Sequence, residues 1–420
     1  MKRSLTLLLL TLLACPVVAQ LNYVWKKKKA PNIASGIYEP ASFTIQGKIY
    51  VAGGCTNNLD STRKTLWMYN ASANSWSQLA DMPGDGAYGC RAFVINNQGY
   101  VFTGWWRLNG NILPVNVNFK YNPVSNAWST VAPFPDANRY TGVAFAVGGK
   151  GYYGTGYSPL TNDFWKYSAG TNAWNQVASL PAPARQAAVG CALNGMGYMG
   201  LGGIYNSLTN DWWAYNPATN SWTQKASFPG QARSVPATFT INQELYVVGG
   251  SDYNNLPFQD VYKYNPVSDT WTYIGLFPGG PRFGMAMGQA NGKGYVGQGS
   301  KTTQSTFQYI TENDWWQLSV VKTIADETGA GSKVENETEN FRMYPNPAID
   351  FITVDFPDMD KKINLVAIYD LQGKMVLSSS TFTSGDKINV ETLSPGVYMV
   401  KLDLGDEVYT QKLIVSEKAY

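Results

Sequence analysis

This 420-residue chain contains no histidine. The commonest general base and the usual zinc or copper ligand are therefore missing. Neither a Ser-His-Asp nor a Cys-His nucleophile can be assembled. No Gly-x-x-x-x-Gly-Lys phosphate loop and no Asp-x-Asp-x-Asp-Gly calcium loop occurs in the sequence. Carboxylates, Arg, Lys, Tyr and Cys are what remains for catalysis, and no metal or cofactor is expected. Charge is scarce at 15%, and after residue 20 no run of 18 apolar residues appears. A transmembrane helix is not expected.

The N-terminus has the pattern of an export signal. Lys2 and Arg3 precede an apolar core from Leu5 to Leu13, and Val17-Val-Ala19 forms a small-residue cleavage site before Gln20. A competing pattern, Leu12-Leu-Ala-Cys15, resembles a bacterial lipoprotein box and would leave a lipidated Cys15. Loss of residues 1–19 removes Lys2 and Arg3 from the 32 basic residues, leaving 30 against 29 acidic ones. Near-neutral charge gives no case for nucleic acid, which needs a concentrated basic surface. The run Lys26–Lys29 is expected as a solvated strand edge. Of the four cysteines, Cys55, Cys90 and Cys191 survive processing. Their odd number leaves at least one free thiol, with a Cys55–Cys90 pair open.

What the chain has is aromatics and glycine: 14 Trp, 27 Tyr and 41 Gly. That suits many short, half-buried strands joined by tight turns. A tryptophan recurs in nearly constant company as Asn74-Ser-Trp76, Asn126-Ala-Trp128, Asn172-Ala-Trp174, Asn220-Ser-Trp222 and Asp269-Thr-Trp271. Successive steps of 52, 46, 48 and 49 residues between these Trp give the period of a propeller blade. A tyrosine stands seven residues before each of them: Tyr69, Tyr121, Tyr167, Tyr215 and Tyr264. Gly53-Gly54, Gly202-Gly203 and Gly249-Gly250, with Thr103-Gly104, Thr155-Gly156 and Gln298-Gly299, close six second strands. Six blades are expected. Trp25 reads as a fourth strand displaced to the N-terminus. Asn313-Asp-Trp-Trp316 copies the third-strand start Asn210-Asp-Trp-Trp213, so the two ends would complete one blade; alternatively Tyr309 and Trp316 keep the seven-residue gap, which would make Trp316 a fourth strand. The Trp and Tyr are expected to pack between blades.

The Gly-Gly…Tyr…Trp pattern resembles the Kelch motif over residues 20–320, which implies a six-bladed Kelch-type β-propeller. Galactose oxidase, a copper-radical enzyme on such a propeller, uses His ligands that this chain lacks. Four residues after the closing proline of a repeat lies an arginine: Arg139, Arg185, Arg233 and Arg282, replaced by Ser35 and Ala87 in the first two repeats. Guanidinium forks suit carboxylates, so these four are candidate ligand-binding residues. The alternative is inter-blade bracing, against the neighbouring blade's carbonyls or against Asp163, Asp211, Asp260 and Asp314, which recur at third-strand starts.

After a polar stretch at 322–342, strand-like alternation resumes in a small domain that reads as an antiparallel β-sandwich. Tyr344-Pro345-Asn346-Pro347 with Asp350, Ile368-Tyr-Asp370 with Gly373-Lys374, Leu393-Ser-Pro-Gly396-Val-Tyr398 and Lys412-Leu-Ile-Val415 carry a resemblance. They are similar to the type A C-terminal sorting domain of the Bacteroidetes type IX secretion system. The resemblance implies export through the periplasm to the outer-membrane surface or the medium, with the type IX machinery as partner.

The expected order is signal peptide 1–19, propeller 20–321, linker 322–342 and sorting domain 343–420. The expected role is a surface or secreted binding module for a glycan or protein ligand. The alternative is a carbohydrate epimerase or mutarotase resembling the N-acetylneuraminate type, and enzymatic activity is left open.

Overall fold

The computed structural model describes residues 20–417 apart from 57–60, 103, 109–110, 116–117, 137–138, 158, 303–307, 326–331, 335–340, 356–362, 372 and 381. The expected signal peptide and Cys15 lie outside the described residues. All regular elements among the described residues are β-strands.

Five antiparallel sheets of four strands follow one another along the chain. The first blade holds Ala41–Ile45, Lys48–Ala52, Leu66–Asn70 and Ser75–Leu79; the second holds Arg91–Ile95, Gln98–Phe102, Asn118–Asn122 and Ala127–Val131. The third runs from Val143–Val147 to Ala173–Val177, the fourth from Val189–Leu193 to Ser221–Lys225, and the fifth from Ala237–Ile241 to Thr270–Leu276. In the sixth, Ala286–Ala290 and Lys293–Gly297 are followed by Trp315–Ala325, and the outermost strand is Gln20–Lys28. Its register sets Trp25 opposite Leu318 and Lys28 opposite Trp315.

Each first strand turns into the second through two residues of positive φ: Gln46-Gly47, Asn96-Asn97, Gly148-Gly149, Asn194-Gly195, Asn242-Gln243 and Asn291-Gly292. This is the type I′ hairpin, whose twist matches the flanking strands and which favours Asn and Gly. The first strands lie side by side around an axis, and the sixth packs against the first, so the ring is closed.

The Tyr–Asn–Trp repeat is the fastener between blades. In the second blade, Asn126 Oδ1 accepts from Tyr121 Oη at 2.8 Å and from the amide of Ala80 in the preceding blade at 2.9 Å. Trp128 Nε1 donates back to the Ala80 carbonyl at 2.8 Å. The turn holds Asn126 at φ 49°, a left-handed conformation that Asn tolerates. The same bonds recur through Asn172, Asn220 and Asp269, and Asn74 and Trp76 bind Lys29, just past the end of the N-terminal strand. Burial of the Tyr rings completes each seam: Tyr69, Tyr121, Tyr167, Tyr215 and Tyr264 are at most 1% exposed.

The C-terminal domain is a two-sheet sandwich. Arg342–Tyr344, Phe351–Asp355 and Lys387–Asn389 form one sheet. Met375–Ser379, Leu365–Tyr369, Gly396–Asp403 and Glu407–Val415 form the other. Ile352, Val354 and Ile388 face Val366, Ile368, Val400, Leu402 and Leu413 in a common core.

Two expectations are corrected. Trp315–Ala325 runs past residue 321, and Ser332–Val334 pairs back on it, because the strand continues along its partner; the segment 322–342 therefore contains strand. Nor is Gln20–Lys28 a free edge at Lys26. Glu407–Val415 pairs along Tyr23–Lys26, so one sheet runs from the sixth blade into the C-terminal domain.

Candidate functional site

The four repeated arginines lie four residues before the innermost strands, and each is at most 2% exposed. Each reaches the aspartate that opens the third strand of its own blade. Arg185 binds Asp211 with both terminal nitrogens, and its Nε and Nη1 also donate to the carbonyls of Pro183 and Leu201. Arg233 repeats this with Asp260, Gln231 and Gly249, its guanidinium lying 4.6 Å from the Phe228 ring and 4.4 Å from Phe258. Arg139 pairs with Asp163 and Asp136, and Arg282 with Asp314 and the Gln298 carbonyl. The backbone acts across the seam. Amides of Gly156, Gly202 and Gly250 in the preceding blade donate to the carbonyls of Arg185, Arg233 and Arg282 at 2.7, 2.8 and 3.0 Å.

Burial would raise the Asp211 and Asp163 carboxyls, but hydrogen bonds and charge from Arg185 and Arg139 outweigh it and hold both below the usual range. The pairing has a trace in the repeats. Where Ser35 and Ala87 replace Arg, the aspartate position carries Thr65 and Val117. The arrangement favours bracing over ligand capture, since the donors of Arg185 and Arg233 are engaged within the protein. The bracing differs from the inter-blade form expected: side chains tie strands within a blade, while backbone carbonyls tie blades together.

A second ring lies just beyond. Glu39, Gly89, Thr141, Ala187, Val235 and Gly284 all have positive φ, between 46° and 67°. The amide of each donates to the carbonyl of the one before it, and Glu39 donates to Gly284, closing the circle. This circle rims a central cavity of about 290 Å³ lined by small residues of the innermost strands, including Ser42, Thr44, Ala92, Ala144, Ala192 and Thr240. Among the described residues, the charged groups on its wall are Glu39 and Arg91, 3.8 Å apart. Burial raises the Glu39 carboxyl above its ordinary range, with Arg91 acting against the shift. Nothing in the repeat pattern singled out this pair, because the other repeats carry no charged residue at the Glu39 or the Arg91 position.

Aromatics crowd one side of the same face. Single bridges join Tyr38 to Cys55, Tyr88 to Trp105, Tyr140 to Tyr157, Gln186 to Gly203, Ser234 to Ser251 and Phe283 to Ser300. They bring the links between second and third strands against the cavity rim. Trp105 lies 4.2 Å from Tyr140 and stacks on Tyr88, while Tyr38 meets Phe283 and Tyr309 at 5.5 Å. Further out, Tyr157, Tyr205 and Tyr253 are 42%, 83% and 61% exposed.

No group of three or more Asp, Glu or Cys among the described residues could hold a metal. Cys55, Cys90 and Cys191 are all free thiols, so the open Cys55–Cys90 pairing is not formed. Burial pushes Cys90 and Cys191 up to about 12, which disfavours their thiolate forms.

The C-terminal motif residues have structural work. Asn346 holds the last strand through Nδ2 to the Lys412 carbonyl and Oδ1 to the Ile414 amide, both at 2.8 Å. Pro345 and Pro347 follow cis peptide bonds on either side of it. The Asp350 carbonyl accepts from Val390, Gly373 turns at φ 81°, and Tyr398 Oη, two residues after Gly396, donates to Ser394.

Comparison with known proteins agrees with this geometry. Residues 342–416 match the secretion system C-terminal sorting domain, 39–234 match the KLHDC2/KLHL20/DRC7 Kelch-repeats domain, and 232–275 match the Kelch motif. An F-box/kelch-repeat protein of Arabidopsis thaliana is 32% identical over 91 residues, 22% of this chain and 18% of that protein. Kelch-like protein 35 of Mus musculus is 30% identical over 122 residues, 28% of this chain and 20% of that protein. The chain thus spans about a fifth of the length of these relatives. The solved structure of YjhT superposes with a TM-score of 0.57 at 14% identity, covering 73% of this chain and 99% of that one, a likeness of fold. Repeats, seams and tail together place this chain among the Kelch-repeat β-propeller proteins that carry a type IX C-terminal sorting domain.

Proposed function

We propose that this exported Kelch propeller is a binding module whose aromatic loop face takes a glycan or a protein ligand. Residues 1–19 would direct periplasmic entry, and the C-terminal domain would engage the type IX machinery. The observation that carries the reading is the exposure of Tyr157, Tyr205 and Tyr253 on equivalent links of three consecutive blades. Tyr offers a broad apolar ring with a polar tip at low entropic cost, which suits stacking on sugars and anchoring of peptides. The buried arginine braces keep those links in place.

A glycan-array screen of the full chain, repeated with the Tyr157→Ala/Tyr205→Ala/Tyr253→Ala variant, tests the proposal. Binding should fall by about tenfold or more with little change in thermal unfolding, as for loss of interface anchors. Undiminished glycan binding by the triple variant would refute the assignment of this face.

A second reading, a carbohydrate epimerase or mutarotase, draws support from Glu39 beside Arg91 in the cavity. A carboxyl of raised pKa next to a guanidinium suits proton exchange on an acidic sugar. Anomeric exchange of N-acetylneuraminate followed by NMR, present in the parent protein and lost in Glu39→Gln, would favour it over simple binding.

A further inference from the structure

The seam between the fifth and sixth blades lacks the fastener that the other five share. Where the other blades have Asn or Asp the sixth has Tyr23, and where they have the fastening Tyr it has Leu318. The preceding blade offers Gly275 in place of Ala80, Ala132, Ala178, Ala226 or Lys29. The C-terminal domain lies across this seam. We propose that the domain is the missing fastener: its last strand clamps the fifth blade to the N-terminal strand, so the sorting domain is held as part of the ring rather than only tethered to it.

Both surfaces are shaped for the contact. Tyr23, Val24, Trp25 and Lys26 pair with Thr410, Tyr409, Val408 and Glu407. Lys27 donates its amide to the Asp406 carbonyl at 2.8 Å, and Lys26 Nζ meets Glu407 Oε1 at 2.8 Å. Alternation along the strand divides the work. Tyr409 and Leu413 enter the core of the C-terminal domain, whereas Val408 joins Trp25, Ile274 and Phe277 in the propeller.

Thr410 packs over Gly275, where a Cβ would sit 2.8 Å from its Cγ2; the missing side chain admits the clamp. On the fifth blade Tyr273 is 8% exposed and clusters with Met399 of the C-terminal domain. The other blades carry Gln78, Thr130, Gln176 and Gln224 at that place. An apolar residue at a position that is polar elsewhere in the repeat marks a surface made for a partner, and this chain supplies the partner.

Full-length protein with a protease site inserted within 335–340 tests the clamp. After cleavage the two fragments should co-elute in gel filtration at micromolar concentration; prompt separation would overturn the proposal. In the full chain, Val408→Asp/Thr410→Asp should accelerate amide exchange at 20–28 and 270–276 by about tenfold or more. Protection at 127–131 and 173–177, a seam with its own fastener, should not change, and protection at 396–403 should report that the C-terminal domain stays folded. Unchanged exchange at 20–28 with a folded C-terminal domain, or equal loosening at both seams, would also overturn it. Should the variant unfold that domain, the cleavage result decides.

Discussion

Replacing Arg233 by Met asks whether the buried arginines brace the propeller. Met keeps most of the apolar stem against Phe228 and Phe258 but removes every donor. Asp260, only 20% exposed at its side chain, then loses the bidentate partner that supplies its two charged hydrogen bonds. Breaking such a pair from one side costs about 3–5 kcal/mol, mostly for the carboxylate left behind. Partial exposure of Asp260 places the expectation near the lower end, about 3 kcal/mol. At roughly 2–4 °C per kcal/mol for a large domain, thermal unfolding should fall by about 6–12 °C.

Urea denaturation of Arg233→Met, Asp260→Leu and the double variant measures the coupling. The double variant should recover much of the loss, because removal of both partners leaves no buried charge. Single costs that add to within about 0.5 kcal/mol would refute the brace. A small cost in Arg233→Met together with lost ligand binding would return the arginines to the binding site. The fourth blade adds a pH dependence. The Asp211 carboxyl is lowered in the folded state, so its contribution is complete above the unfolded value near 4. It is lost as the pH falls through the lowered folded value.

Two further outcomes follow from named contacts. Glu39→Gln should raise thermal stability at pH 7, since burial penalises the ionised carboxylate by more than Arg91 favours it; the gain should shrink as the pH falls through the folded value and Glu39 itself becomes neutral, and a gain independent of pH would refute this account. Trp128→Phe should cost about 1–2 kcal/mol in urea denaturation by orphaning the Ala80 carbonyl, and a cost below about 0.5 kcal/mol would remove the indole bond from the seam.

Much of the fold was legible because the propeller repeats a local rule. The period of Tyr, Asn and Trp follows from a turn that needs positive φ at Asn and a seam that needs both side chains, so the repeat in sequence is the repeat in space. The two ends carried partial signals of the same kind: Trp25 stands 51 residues before Trp76, and Asn313-Asp-Trp-Trp316 repeats the third-strand start Asn210-Asp-Trp-Trp213, while the pairing of the two segments is read from the structure. The candidate site was less so. Glu39 and Arg91 have no charged counterparts in the other repeats, and only the circle of innermost strands brings them together. Arg139, Arg185, Arg233 and Arg282 were visible as a series, but a spacing does not state whether a guanidinium faces solvent or a carboxylate 24 to 32 residues away.

By itself, then, the sequence determined the propeller, its export domain and the exclusion of histidine chemistry, because periodicity, motif order and composition are properties of the chain. Only the tertiary structure decided that the repeated arginines are buried against aspartates and that Tyr157, Tyr205 and Tyr253 share one exposed face. It alone set the C-terminal domain across the seam at Gly275. Burial and partnership depend on which distant segments meet, and that is settled by packing around the closed ring.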